Sequence, residues 1–377
     1  MTDLVELLQQ LVAIDSVNPA LVDGGAGEGA IAGFIAGWAR DTGLEVEIDE
    51  TIAGRPSVIA IARGSGGGRS LMLNAHTDTV GVAGMERPFE PRIEGRRLYG
   101  RGSFDMKSGL AAAMVATAGA LDLDLRGDVV LTAVSDEEHA SIGTTSIVER
   151  WYADAAIVTE PTDLEISIAH KGFTWLELET RGVAAHGSRP DLGVDAITKM
   201  GRLLVELEDF DRFLRGGERH WLLGTGSLHA SLISGGQELS SYPERCRLDI
   251  ERRTVPGENP ESVEGQIREI IDRAAAADPD LQATLAVGLI REPYEIAEDQ
   301  PIVEMIRRHA SNVSGTEPTI AGEMGWMDSA ILWRAGIPAV IFGPAGDGAH
   351  AVEEWVDLDS VEQCASVLKA VVEDFCG

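Results

Sequence analysis

Cysteine is scarce. The 377-residue chain has three, Cys246, Cys364 and Cys376, odd in number and without a CxxC pair. That excludes a disulfide framework and a thiolate zinc site, and it fits a reducing compartment. Basic residues are outnumbered, 31 against 62 acids, for a formal net charge of −31. Nucleic acid and anionic membrane surfaces reward the opposite sign, so neither is expected as a partner. The acidity does suit solubility at high ionic strength, where screening weakens self-repulsion. No apolar run approaches the ~20 residues that span a bilayer. The opening MTDLVELLQQLVAI carries acids at helical apolar spacing and lacks the basic start and apolar centre of a signal peptide. A soluble, cytoplasmic protein is expected.

What is present is enough hydrophobic residue, 44%, for a sizeable core, at a length that suits two or three domains of roughly 100–200 residues. Apolar spacing predicts helices over 3–14 and 28–40. SVIAIARGSGGGRSLMLNAHTD reads as two strands joined by a glycine-rich turn. A strand follows GSGGG where a phosphate loop needs a helix, so a hairpin loop is expected. MKSGLAAAMVATAGAL (106–121) is a small-residue helix fit for close packing. DVVLTAVSDEE (128–138), AAIVTE (155–160) and IPAVIFGPAGDGAH (337–350) are apolar strands that run into polar or glycine-rich ends. Strands alternating with helices predict an α/β fold with a mixed, largely parallel sheet flanked by helices. Between 174 and 289 the order changes to β-α-β-β-α-β, the ferredoxin-like arrangement. This predicts a domain of residues 174–289 inserted into a domain made of 1–173 and 290–377.

His76 and Asp78 stand two apart after Leu71–Leu73, so an extended strand would point both to one face. Buried there, they cost free energy unless paired, hydrogen-bonded or coordinating a metal. In parallel sheets ligands gather at the carboxyl ends of strands, and His76, Glu137, Glu138, Glu160 and His350 all lie at or just past such ends. His76, Asp105, Glu138, Glu160 and His350 assemble into a donor set of nitrogen and oxygen, which suits zinc and also cobalt or manganese. Two histidines and three carboxylates are too many for one tetrahedral site with an open position, but suit two ions sharing a carboxylate. Each member has a plainer reading alone: Asp105 as a helix cap, Glu137 and Glu138 as a solvated turn, Glu160 as a loop acid, His350 as an exposed loop residue.

AHTDTV, GRGSFDMKSG, SDEEHASIG, VTEPT and GPAGDGAH resemble, in order, the motif series of the dinuclear-zinc family of aminoacylases, acetylornithine deacetylases, succinyl-diaminopimelate desuccinylases and glutamate-releasing carboxypeptidases. The resemblance spans nearly the whole chain. It implies that Asp105 bridges two metal ions, with His76 and Glu160 completing one site and Glu138 and His350 the other. Glu137 would be the general base and Asp78 would orient the His76 imidazole. In RGVAAHGSRPDLGVDAI the family pattern matches His186 to a histidine that stabilises the oxyanion, often across a dimer interface. RLDIERRTVPGE resembles the strand whose arginine holds the substrate carboxylate; by alternation Arg253 shares a face with Arg247 and Arg252 takes the other, so Arg253 is the choice. Two places depart from the pattern: Ser240 stands where many members carry an asparagine contacting substrate, and GEMGWMDSAIL puts Trp326 and Asp328 in a commoner glycine–threonine–aspartate run. The resemblance implies a homodimeric amidohydrolase that removes an acyl group from an N-acyl amino acid by attack of a hydroxide held between two metal ions. A carboxypeptidase or dipeptidase acting on short peptides is the alternative, and a catalytically silent binding protein on this fold the second.

Overall fold

The computed structural model describes residues 3–377. The chain divides into two compact units. The first runs to Ile168 and takes in Ile296–Ala321 and Met327–Gly377; the second is Ala169–Glu295 with Gly322–Trp326. The second unit is therefore wider than 174–289 at both ends. Tyr294 and Glu295 pair with His170 and Ala169, which zips the entering and leaving chain together beyond the ferredoxin-like core.

In the first unit strands Glu45–Asp49, Ser57–Ala62, Val129–Val134, Leu71–His76, Ala155–Val158, Ala339–Ile341 and the first residues of Ile166–His170 lie side by side in that order. The middle of the sheet is parallel and its flanks are antiparallel. Ser57–Ala62, Leu71–His76 and Val129–Val134 are buried at every position, which is why they read as continuous apolar runs rather than as alternation. Helix Lys107–Gly119 packs on the sheet and against the terminal helix Leu358–Cys376. Its small residues permit the approach: a Cβ at Gly109 would lie 1.8 Å from the Thr159 carbonyl oxygen.

The expected hairpin does not form. Ser57–Ala62 and Leu71–His76 each pair with Val129–Val134, one on either side of it. The glycine-rich segment between them embraces the residues that lead into that strand, with the Ser65 and Gly66 amides donating to the Leu125 and Arg126 carbonyls. Gly64 and Gly68 pass so close that a Cβ on either would lie 2.4 Å from Gly127 backbone.

The second unit orders its strands Ser227–Gly235, Arg245–Thr254, Gly172–Arg181 and Gln282–Arg291, every neighbour antiparallel. Helices Ala196–Arg215 and Pro260–Ala277 supply Met200, Leu203, Val263 and Ile267 to a core with Leu176, Leu178, Leu248 and Ile250. Both helices begin at capping side chains, Asp195 and Asn259, which satisfy amides that the helix leaves open. Ser227–Gly235 is an edge strand with Leu232 and Ile233 exposed. Among the described residues no helix is long and apolar enough to cross a membrane.

Exposed ion pairs surround single cations with two acids, as Arg96 with Asp359 and Glu362, and Arg63 with Glu45 and Asp128. Repulsion among the surplus acids is then the larger surface term. Raising NaCl from about 10 mM to about 1 M, which shrinks the screening length from ~30 to ~3 Å, should raise the Tm followed by circular dichroism. A falling Tm would mean that the ion pairs dominate.

Candidate metal centre

Strand direction brings the polar residues together. Leu71–His76 runs parallel to Val129–Val134 and Ala155–Val158, and Ala339–Ile341 runs parallel to Ala155–Val158. Their carboxyl ends open at one edge. His76 ends its strand, and Glu137, Glu138, Glu160 and His350 follow in the segments beyond the other three. Asp105 arrives separately, from the irregular stretch 100–106 before helix Lys107–Gly119.

Asp105 sits between the two histidines. Its Oδ1 lies 3.1 Å from His76 Nε2 and its Oδ2 3.4 Å from His350 Nε2. Glu160 Oε1 stands 3.5 Å from the same His76 nitrogen, and Glu138 Oε2 3.0 Å from that of His350. Donor atoms of His76, Glu137 and Glu160 lie within 4.8 Å of one another, as do those of His76, Asp105 and Glu138. Six of the candidate residues thus converge, paired as His76 with Glu160 and Glu138 with His350, with one Asp105 oxygen turned to each pair.

Four carboxylates at this spacing repel one another. Burial, and then the charge of Glu160, pushes Glu137 well above the ordinary carboxylate range. Burial also raises Glu160, helped by Asp105 and Glu138 and opposed by His76. Asp105 goes the other way: burial disfavours its charge, but hydrogen bonds with His350 and His76 outweigh it. Those bonds from Asp105 and Glu138 carry His350 up to about 10. A nitrogen and oxygen donor set with surplus negative charge, and one carboxylate facing both halves, fits two divalent cations.

Asp78 lies on the Nδ1 side of the His76 ring and also reaches beyond it. His76 Nδ1 lies 3.0 Å from the main-chain carbonyl of Asp78 and 3.7 Å from its carboxylate. The carboxylate also accepts the Glu137 and Glu138 amides at 3.1 and 3.2 Å and fixes the turn that carries them. Asn18, which the motifs did not mark, donates to Asp78 at 2.8 Å and to Asp136 at 3.0 Å. Arg55 donates to the carboxylates of Asp136 and Glu28 and to Asn18 Oδ1. Asn18 lies in a loop 60 residues from Asp78, so no local spacing could have found it. Asp328 is buried, accepts from Thr144 Oγ1 at 2.5 Å, and adds to the repulsion felt by Glu137 and Glu160.

His186, Ser240 and Arg253 belong to the second unit. His186 and Ser240 are exposed neighbours there, the Ser240 carbonyl accepting the Gly187 amide at 2.6 Å. The Ser188 amide donates to His186 Nδ1 at 3.2 Å, which leaves the proton of the neutral ring on Nε2. Along Arg245–Thr254 the alternation is visible: Arg252 is buried and bonded to Glu258, while Arg253 is half-buried on the other face with Arg247. Arg253 Nε donates to Glu251 at 2.6 Å, and the guanidinium lies 5.2 Å from the Phe173 ring centre. Trp326 Nε1 donates to the Glu292 carbonyl and its ring meets Arg291.

A parallel sheet that ends in such a donor set, joined to a ferredoxin-like unit, defines a metallohydrolase architecture. The chain belongs to peptidase family M20/M25/M40, whose profile matches residues 72–374. It is 31% identical to acetylornithine deacetylase of Myxococcus xanthus, covering 98% of this chain and 97% of the relative. It is 28% identical to N-formyl-4-amino-5-aminomethyl-2-methylpyrimidine deformylase of Halalkalibacterium halodurans, over 99% and 94%. Among solved structures, aminopeptidase PepT of Bacillus cereus superposes with a TM-score of 0.80 at 20% identity, over 99% of this chain and 98% of that one. The chain is accordingly a hydrolase of amide bonds.

If Asp105 serves both halves, Asp105→Ala should lose metal from both. Elemental analysis of purified, folded variant should show well under one ion retained per chain. Two tightly held ions in the variant would refute the shared role.

Proposed function

We propose that this protein is a dinuclear-metal amidohydrolase that removes a short acyl group from the nitrogen of an N-acyl amino acid. The observation that carries the reading is the near full-length likeness to an acetylornithine deacetylase; the deformylase, also a remover of a small acyl group by name, supports it. Cleavage of a dipeptide or C-terminal peptide bond is the rival, since a peptidase shares the fold.

His76 and Glu160 would hold one ion, Glu138 and His350 the other, and Asp105 both. Two divalent ions in this set, zinc in the first instance with cobalt or manganese as alternatives, would polarise the scissile carbonyl and lower the pKa of a water at the centre. Glu137, gathered with His76 and Glu160 at the centre, takes the proton of the attacking water. As the C–O bond forms and the C–N bond breaks, Glu137 delivers the proton to the leaving amine, releasing a carboxylic acid and an amino acid. His186 donates from Nε2 to the oxyanion. Arg253 binds the substrate carboxylate as a planar fork, and Ser240 contacts substrate. Complete donors beside a base argue against a silent binding protein. We place the enzyme in the cytoplasm, with a small N-acyl amino acid as its substrate.

The active form is a homodimer in which His186 serves the partner's centre. An edge strand with exposed Leu232 and Ile233 supports pairing, because such an edge offers unpaired backbone groups to a second copy.

Three measurements check these assignments. In a panel of formyl- and acetyl-amino acids against dipeptides, the acylated compounds should have the higher kcat/KM; dipeptides at the head of the panel would install the rival. Glu137→Ala should keep both ions and lose activity by about 10²–10⁴-fold, the contribution of a general base; turnover at the wild-type rate would remove Glu137 from the chemistry. Mixing inactive Glu137→Ala and His186→Ala chains should restore activity, because one site of the mixed dimer has both residues. No recovery after demonstrated subunit exchange would defeat action in trans.

A further inference from the structure

We infer that Glu354 is a positioning residue for the metal centre, its buried carboxylate holding the backbone that presents Asp105 and joining it to the loop that presents His350. The inference rests on the metal reading of the preceding section. Glu354 is 1% exposed. One carboxylate oxygen accepts from Arg101 Nη1 at 2.6 Å and from the Gly102 amide at 3.0 Å; the other accepts from the Phe104 and Asp105 amides at 2.9 and 3.0 Å. Residues 100–105 form neither helix nor strand, so these amides have no ladder to join and depend on an outside acceptor.

The same contacts reach His350. Arg101 Nη2 donates to the carbonyl of Ala351 at 2.9 Å, and the Gly100 amide to that of Glu354 at 3.2 Å. The circuit closes at the centre itself, where Asp105 Oδ2 and His350 Nε2 are 3.4 Å apart. Any displacement of 100–105 therefore moves the Asp105 carboxylate, which has one oxygen toward each histidine.

An ionised carboxylate suits the task because it accepts at both oxygens and donates nowhere. Glutamine has the same size but turns an NH2 toward two of the four donors, leaving buried N–H groups unpaired. Space-filling alone would be met by either residue. Positioning is met only by the acid.

The experiment loads metal-free protein with Co²⁺ in competition with a chelator and records the visible spectrum. Glu354→Gln should bind Co²⁺ about 10–100-fold more weakly, the usual effect of losing a partner behind the ligands, with altered absorption bands and a lower kcat at similar KM. Glu354→Asp keeps the charge with shorter reach and should fall between wild type and Gln. Glu353→Gln, the same charge change on the exposed neighbour, should match wild type. A folded Gln variant with wild-type Co²⁺ affinity and spectrum overturns the inference even if its Tm has dropped. Should Gln not fold, the Asp variant decides on the same two readouts. Wild-type protein that takes up no Co²⁺ overturns the metal reading and this inference with it, whereas normal uptake by wild type and Gln alike overturns this inference alone.

Discussion

Mutual repulsion of carboxylates gathered at one buried edge is the constraint around which the first unit is organised. Asp105, Glu137, Glu138 and Glu160 would separate if they stood on mobile loops, because like charges a few ångströms apart in a poorly solvated site oppose close approach. They stay together because each is anchored by something stiffer than itself. Parallel pairing of Leu71–His76 with both neighbours aligns three of the anchors. Asp78 then grips the Glu137 and Glu138 amides, backed by Asn18, Asp136 and Arg55. The scaffold supplies the work of assembly, and cations would relieve the charge.

The second unit has its own core and its own logic. Its helices and strands bury Leu176, Met200, Leu248 and Ile267 together, so its fold does not depend on the charged edge. Of the residues named in the two stretches that depart from the family pattern, Ser240 and Trp326 belong to it and Asp328 to the first unit.

Much of this could be read from residues alone, for reasons that differ by element. The donor set was legible because five motifs come in one order and four of them fall at strand ends, and the inserted unit because its period-two and helical segments alternate cleanly. The hairpin reading failed because closeness in sequence is a weak guide to pairing: Val129–Val134 offered both strands a better apolar partner than they offered each other. The grip of Asp78 on the Glu137 and Glu138 amides was not legible because it spans 59 and 60 residues of sequence. Glu354 escaped because two adjacent glutamates look alike in sequence, and only the fold shows that one is buried and the other exposed.

The divided first unit has a consequence for how the molecule is made. On one side Ala155–Val158 pairs with Leu71–His76, but its other partner, Ala339–Ile341, leaves the ribosome some 180 residues later. His350 and the helix Leu358–Cys376 come later still. Domains tend to fold as units during synthesis, and the core of the second unit is continuous in sequence. It can therefore close while the earlier half-sheet is still waiting with an apolar strand edge uncovered. Such edges invite pairing with other chains, and like charge on neighbouring copies, −31 on each full chain, opposes that pairing.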